Sequence, residues 1–129
     1  MAKYRTLDEF LVSGFPNSEY IRYKTIVAYM RKGRRAVDGQ IFNALTIANI
    51  KNTRRASNVE INPRHKRTGL FSEFEGLVRK AAVERGYDGV YVECVFNPFL
   101  PEVLIRYGYK RVNVYNSDVL CGNDFWIKV

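Results

Sequence analysis

Val59-Glu60-Ile61-Asn62-Pro63-Arg64-His65-Lys66-Arg67-Thr68-Gly69-Leu70-Phe71-Ser72, continued without a break from Glu73 to Gly86, is the stretch from which the fold is read. It begins as a β-strand, passes through a short basic loop holding one glycine, and becomes a helix just after that glycine. Phe74, Leu77, Val78 and Ala81 recur at helical spacing and define its inner face, and Gly86 ends it. A junction of this kind offers an anion unpaired backbone N–H groups, the positive end of a helix dipole and nearby cations. It is a candidate phosphate cradle.

Downstream, Asp88-Gly89 leads into Val90 to Phe96 (VYVECVF), a β-branched and aromatic run suited to a buried central strand. Asn97 and Pro98 open a helix through Leu100, Val103, Leu104 and Tyr107, which Gly108 closes. Pro101 fits only within its first turn. Val112 to Tyr115 and Phe125 to Val129 read as closing strands.

Upstream, Thr6 caps a short helix to Val12, with Glu9 completing a capping box, and Gly14-Phe15-Pro16-Asn17 stops it. Ser18 caps a second helix, Glu19 to about Lys32, in which Tyr20, Tyr23, Ile26, Val27 and Met30 recur every three or four residues. Gly33 is its terminator. Asp38-Gly39 is a turn, and Gln40 to Ile50 alternates as a strand with Ile41, Leu45, Ile47 and Asn49 on one face. The order αα-ββ-α-β-α-ββ predicts a single α/β domain over residues 1–129, α+β in a looser sense, with a strand-helix-strand unit inside a mixed sheet.

A chain of 129 residues is long enough to bury roughly two-thirds of its unfolded surface. Its 47% hydrophobic content excludes disorder by composition. Lys and Arg exceed Asp and Glu, 21 to 13, and the excess is localised. Six cations lie between Ser18 and Arg35 (Arg22, Lys24, Arg31, Lys32, Arg34, Arg35) against Glu19. Six more lie between Lys51 and Arg67 (Lys51, Arg54, Arg55, Arg64, Lys66, Arg67) against Glu60. They are either solvated faces or sites for a phosphorylated cofactor, nucleic acid or an acidic protein. Cys94 and Cys121 have no CxxC spacing and His65 is the only histidine, so no Cys/His metal site is expected. Without a signal peptide or membrane-length apolar run, the expected setting is a reducing cytoplasm, with no membrane partner and free thiols.

Residues Gln40 to Val129 resemble the GNAT superfamily of acyl-CoA-dependent N-acyltransferases. The family's strand ends in a Val-x-Pro-like step, and an Arg/Gln-x-x-Gly-x-Gly/Ala loop leads into a helix. Ile61-Asn62-Pro63 followed by Arg64-His65-Lys66-Arg67-Thr68-Gly69-Leu70-Phe71 fits without insertion, with Lys66 at the Arg/Gln position, Gly69 the main glycine and Phe71 in place of the last small residue. Asn97, with Leu104-Ile105-Arg106-Tyr107-Gly108-Tyr109, resembles the family's Asn…Tyr-x-x-x-Gly-Phe segment, although Leu104 takes the usual Tyr position. The compact, tyrosine-rich chain with its divergent N-terminus suits a phage-type member acting on a host factor.

The resemblance implies a mixed, mostly antiparallel twisted sheet with a central β-α-β cofactor unit and N-terminal helices. Acetyl-CoA would set its phosphates on Arg64, Lys66, Arg67, Thr68, Gly69, Leu70, Phe71 and Ser72. Its pantetheine arm would lie in a V between strands, paired with Glu60, Ile61 and Asn62 and touching Asn97, for which helix capping is the equal alternative. A primary amine, on a protein lysine, an N-terminus or a small molecule, would attack the thioester through a tetrahedral intermediate. Glu60 and Glu93 are candidates to deprotonate it, or else partners of nearby cations. Tyr107 is the candidate proton donor, or else a core residue. The competing reading is a GNAT-fold protein that has lost catalysis and binds nucleic acid or an acidic host protein.

Overall fold

The computed structural model describes residues 4–14, 16–52, 69–93, 100–112 and 124–129. Along the chain these form α1 (Leu7–Val12), β1 (Ser18–Tyr23), β2 (Ile26–Val37), β3 (Gln40–Asn52), α2 (Leu70–Glu84), β4 (Gly89–Val92), α3 (Leu100–Arg106), β5 (Lys110–Val112) and β6 (Asp124–Lys128). The six strands make one sheet in the order β1-β2-β3-β4-β6-β5. Every neighbouring pair is antiparallel except β3 and β4, whose parallel pairing requires the crossover that carries α2. The mixed sheet is as the sequence predicts and its mostly antiparallel pairing is as the resemblance implies, but the strand expected at Val59 to Pro63 lies outside the described residues and the described strand-helix-strand unit is β3-α2-β4.

The N-terminal third is not. In place of the expected helix Glu19 to Lys32 stand β1 and β2, paired from Ser18↔Arg31 to Tyr23↔Ile26. The tight turn between them holds Lys24 at φ 53°. Helical spacing misleads here because Tyr23 and Ile26 flank that turn, and beyond it Ile26, Ala28 and Met30 alternate inward with period two. Tyr20, Ile21, Tyr23, Ile26, Val27 and Tyr29 are also residue types that favour a pleated surface. Ser18, rather than capping a helix, accepts a hydrogen bond from the Tyr29 hydroxyl at 2.9 Å. Gly33 terminates nothing; it sits within β2 opposite Ala44.

Other local signals hold. Thr6 Oγ1 accepts from the Glu9 N–H at 3.2 Å, and Glu9 Oε1 accepts from the Thr6 N–H at 3.0 Å, which closes the capping box. Asp38 and Gly39, at φ 48° and 83°, form the two-residue turn between β2 and β3. Pro101 lies in the first turn of α3. The strand expected at Val112 to Tyr115 begins earlier, at Lys110.

All three helices pack on one face of the sheet. Phe10 and Leu11 of α1, Phe71, Phe74, Val78 and Ala82 of α2, and Leu100, Val103 and Leu104 of α3 meet Ile21, Met30, Leu45, Ile47, Val90, Val92 and Phe125 there. The inner face of α2 is turned from the expected one: Leu77 is 41% exposed, while Glu75 is buried. A carboxylate is tolerated inside because Arg79 Nε and the Tyr109 hydroxyl both donate to its Oε2, each at 2.9 Å. Arg79 also donates to the Tyr107 carbonyl at 3.0 Å, tying the end of α3 to α2. The opposite face gathers Val37, Phe42, Ala44, Tyr91, Val112 and Trp126, all from strands or their ends. No helix among the described residues is long and apolar enough to cross a membrane.

Candidate active site

Among the described residues the parallel ladder of β3 and β4 runs from Ala44↔Gly89 to Ile47↔Val92, and its last rung there is the Glu93 N–H donating to the Ile47 carbonyl at 2.9 Å. β3 continues through Ala48 to Asn52, and among the described residues its only partner there is β2. Within that extension the β2–β3 register shifts: Tyr29 faces Ala48, but Val27 faces Lys51. One extra residue therefore sits in β3, with Asn49 at φ 49°. This is a β-bulge, a device that re-aims a strand and is frequent beside functional sites.

The two carboxylates proposed as bases fare differently. Glu60 lies outside the described residues, as do Ile61, Asn62, Arg64, Lys66, Arg67, Thr68 and Asn97. Along Gly89–Val92 both edges of β4 are taken, by β3 and β6. Glu93 stands at the end of β4, half-buried, with one carboxylate oxygen on Arg31 Nη2 and the other on Arg35 Nη1 at 2.6 Å. The two arginines come from β2, and their side chains reach past β3 over the small buried residues Ala44 and Thr46. The ion pairing weighed for Glu93 in the sequence is present.

The same network extends sideways. Arg35 Nη2 lies 3.8 Å from Asp124 Oδ2, and its guanidinium rests 4.0 Å from the Tyr91 ring centroid. The Tyr91 hydroxyl donates to Asp124 Oδ2 at 2.5 Å. Burial, aided by this bond to a carboxylate, raises the Tyr91 pKa far above that of a free phenol. Burial opposes the charge on Arg35, but Tyr91 and Glu93 outweigh it and its pKa is raised. Tyr91 and Asp124 escaped the sequence reading, and Arg31 and Arg35 entered it only as members of a cationic stretch, because register alone brings the four together.

Tyr107 is buried in the helix-side core, whereas the Glu93 side chain lies on the opposite face with Arg31 and Arg35. The sheet separates the candidate base from the candidate acid. Leu104 is also fully buried on the helix side.

At the start of α2, Gly69 occupies the N-cap at φ 103°, a conformation that favours glycine, and supplies no side-chain cap to the first-turn N–H groups. Phe71 points into the core, so the bulky residue in the small-residue position is turned inward. Leu70 and Ser72 are half-buried. Glu73, in the first turn, pairs with Lys24 at 3.1 Å, and this contact raises the lysine pKa.

The cations of Ser18 to Arg35 do not form one face. Arg31 and Arg35 lie on the strand-only side, bound by carboxylates. Lys32 points to the helix side, where its ammonium donates to the carbonyls of Phe10 (2.6 Å) and Ser13 at the end of α1. Burial lowers its pKa. The second cationic stretch lies outside the described residues apart from the strand end at Lys51. No group of three His, Cys, Asp or Glu side chains among the described residues is placed to hold a metal.

Compared with models of known families, with curated proteins and with solved structures, the chain matches none.

Proposed function

We propose that the chain is an N-acetyltransferase of the GNAT type, moving an acetyl group from acetyl-CoA to a primary amine. The observation that carries this reading is the parallel pair: among the described residues β3 pairs with β4 from Ala44 to Ile47 and then runs on, bulged at Asn49, to Asn52, with no described partner on its β4-side edge. An extended thioester arm lies along that edge as an added strand, its amides bonding the backbone of β3. The adenosine phosphates meet the first turn of α2, which Gly69 opens without a side-chain cap. The basic residues Arg64, Lys66 and Arg67 add charge to that seat.

In the reaction a neutral amine adds to the thioester carbonyl, and a backbone N–H at the strand edge stabilises the oxyanion. Collapse of the tetrahedral intermediate expels the CoA thiolate, and the amine proton passes to a base. Both Glu93 oxygens are held by guanidinium groups, which leaves Glu60 as the candidate base. Glu93 then acts as a positioning residue, fixing the end of β4 against β2.

Thermal unfolding with and without acetyl-CoA tests the reading. At a hundred times its dissociation constant the cofactor stabilises the fold by ~2.7 kcal/mol. Lys66→Glu and Gly69→Trp should each abolish that shift. A folded protein whose unfolding is unmoved by millimolar acetyl-CoA would sink the proposal. Release of free thiol in the presence of an amine mixture then tests turnover.

A further inference from the structure

A cleft lies at the far end of the sheet. About 470 Å³ in volume, it opens between the β2–β3 turn, the Gly108 turn and the end of β6, lined by Asp38, Gln40, Phe42, Lys110, Trp126 and Lys128 among others. Lys128 pairs in the sheet with Gly89, the first residue of β4, so this cleft is at the opposite end of the strand from Glu93. Its floor is aromatic: the Phe42 and Trp126 rings stack with centroids 5.1 Å apart and planes 30° apart. Its rim is cationic. Lys110 pairs with Asp38 at 3.0 Å, both largely exposed. Among the described residues no carboxylate pairs with Lys128, whose ammonium lies 5.9 Å from the Phe42 ring centroid.

We infer that this cleft binds a small anion carrying a flat ring, of mononucleotide size. The volume is that of an ordinary small-molecule site, and an aromatic floor under a cationic rim is complementary to a ring bearing an acid group. The ring lies on Phe42, with the Gln40 amide within the same wall. The acid group meets Lys128, and also Lys110, whose exposed bond to Asp38 is weak enough to exchange. With two lysines against one aspartate, the cleft keeps a net positive charge for the ligand to neutralise.

The chain contains one tryptophan, and it is Trp126, so the floor of the cleft is its own reporter. Its fluorescence should change saturably on titration with adenosine 5′-monophosphate or with benzoate, and the stronger arm tells whether phosphate or carboxylate is preferred. Adenosine and inorganic phosphate, each lacking half of the required chemistry, should bind about tenfold more weakly or worse. Lys128→Glu, an exposed change, should weaken the better ligand by about tenfold or more, as should Phe42→Ala. Lys80→Glu, on the exposed side of α2, and Lys66→Glu, which tests the acetyl-CoA seat, should leave the response unchanged. The inference is overturned if neither probe gives a saturable change at millimolar concentration. An equal response in Lys128→Glu, or its loss in Lys66→Glu, overturns it as well.

Discussion

Replacing Gly89 by alanine tests the centre of the sheet. A Cβ built on Gly89 would lie 2.2 Å from the Ile127 carbonyl oxygen and 2.5 Å and 2.7 Å from two carbons of the Trp126 indole. Non-bonded carbon contacts settle near 3.5 Å, so β4 and β6 must part by roughly 1 Å at this rung. The closest atom is backbone and cannot swing aside as a side chain would. Overpacking costs about 1–3 kcal/mol, and a weakened ladder bond adds about 1 kcal/mol. A loss of about 3 kcal/mol follows, equivalent to roughly an 11 °C fall in Tm for a domain of this length. Gly76 is the internal control: it lies within α2 and a Cβ there meets nothing within 4 Å. Gly76→Ala should therefore stabilise by about 0.5–1 kcal/mol. Urea and thermal denaturation of both variants decide the matter. Gly89→Ala within about 0.5 kcal/mol of the parent would refute the β4–β6 register, because a one-residue slip turns position 89 to the other face.

Three further outcomes are expected. Burial raises the phenol pKa of Tyr91 and Tyr109 in the folded protein, so the unfolded chain loses those protons first as pH passes ~10. Stability should therefore hold below that pH and fall above it, less steeply in Tyr91→Phe and Tyr109→Phe, as read by denaturation midpoints against pH. Thr6→Ala removes one half of the capping box and should cost about 1 kcal/mol in urea titration. Glu75→Ala strips Arg79 and Tyr109 of their shared acceptor and should cost about 2–3 kcal/mol, with Glu75→Gln recovering part of it.

What the sequence revealed divides by range. Features closed within a few residues were legible: Thr6 with Glu9, the Asp38-Gly39 turn, and Gly86 and Gly108 after α2 and α3, both at positive φ. So was the buried run at Val90, because a strand covered on both faces needs apolar residues throughout. Tyr20 to Met30 misread because a tight turn resets the phase of an alternating pattern, making two strands resemble one helix. Leu77 misread because Glu75 takes the inner position with the help not only of Arg79, one turn away, but of Tyr109, thirty-four residues away. At the candidate site the local features were legible and the wiring was not. A glycine opening α2 follows from local sequence, whereas the grip of Arg31 and Arg35 on Glu93 depends on the register of three strands.

That grip has a consequence for how this sequence can drift. Positions 31, 35 and 93 are linked across an intervening strand, so losing the carboxylate leaves two guanidinium groups facing one another, and losing both arginines leaves a lone half-buried acid. Relatives of this chain should therefore change the three together, replacing charge by apolar bulk on both strands or keeping all of it. A residue retained only to accept a proton would show no such linkage, so the pattern of joint substitution separates a brace from a base before any enzyme is assayed.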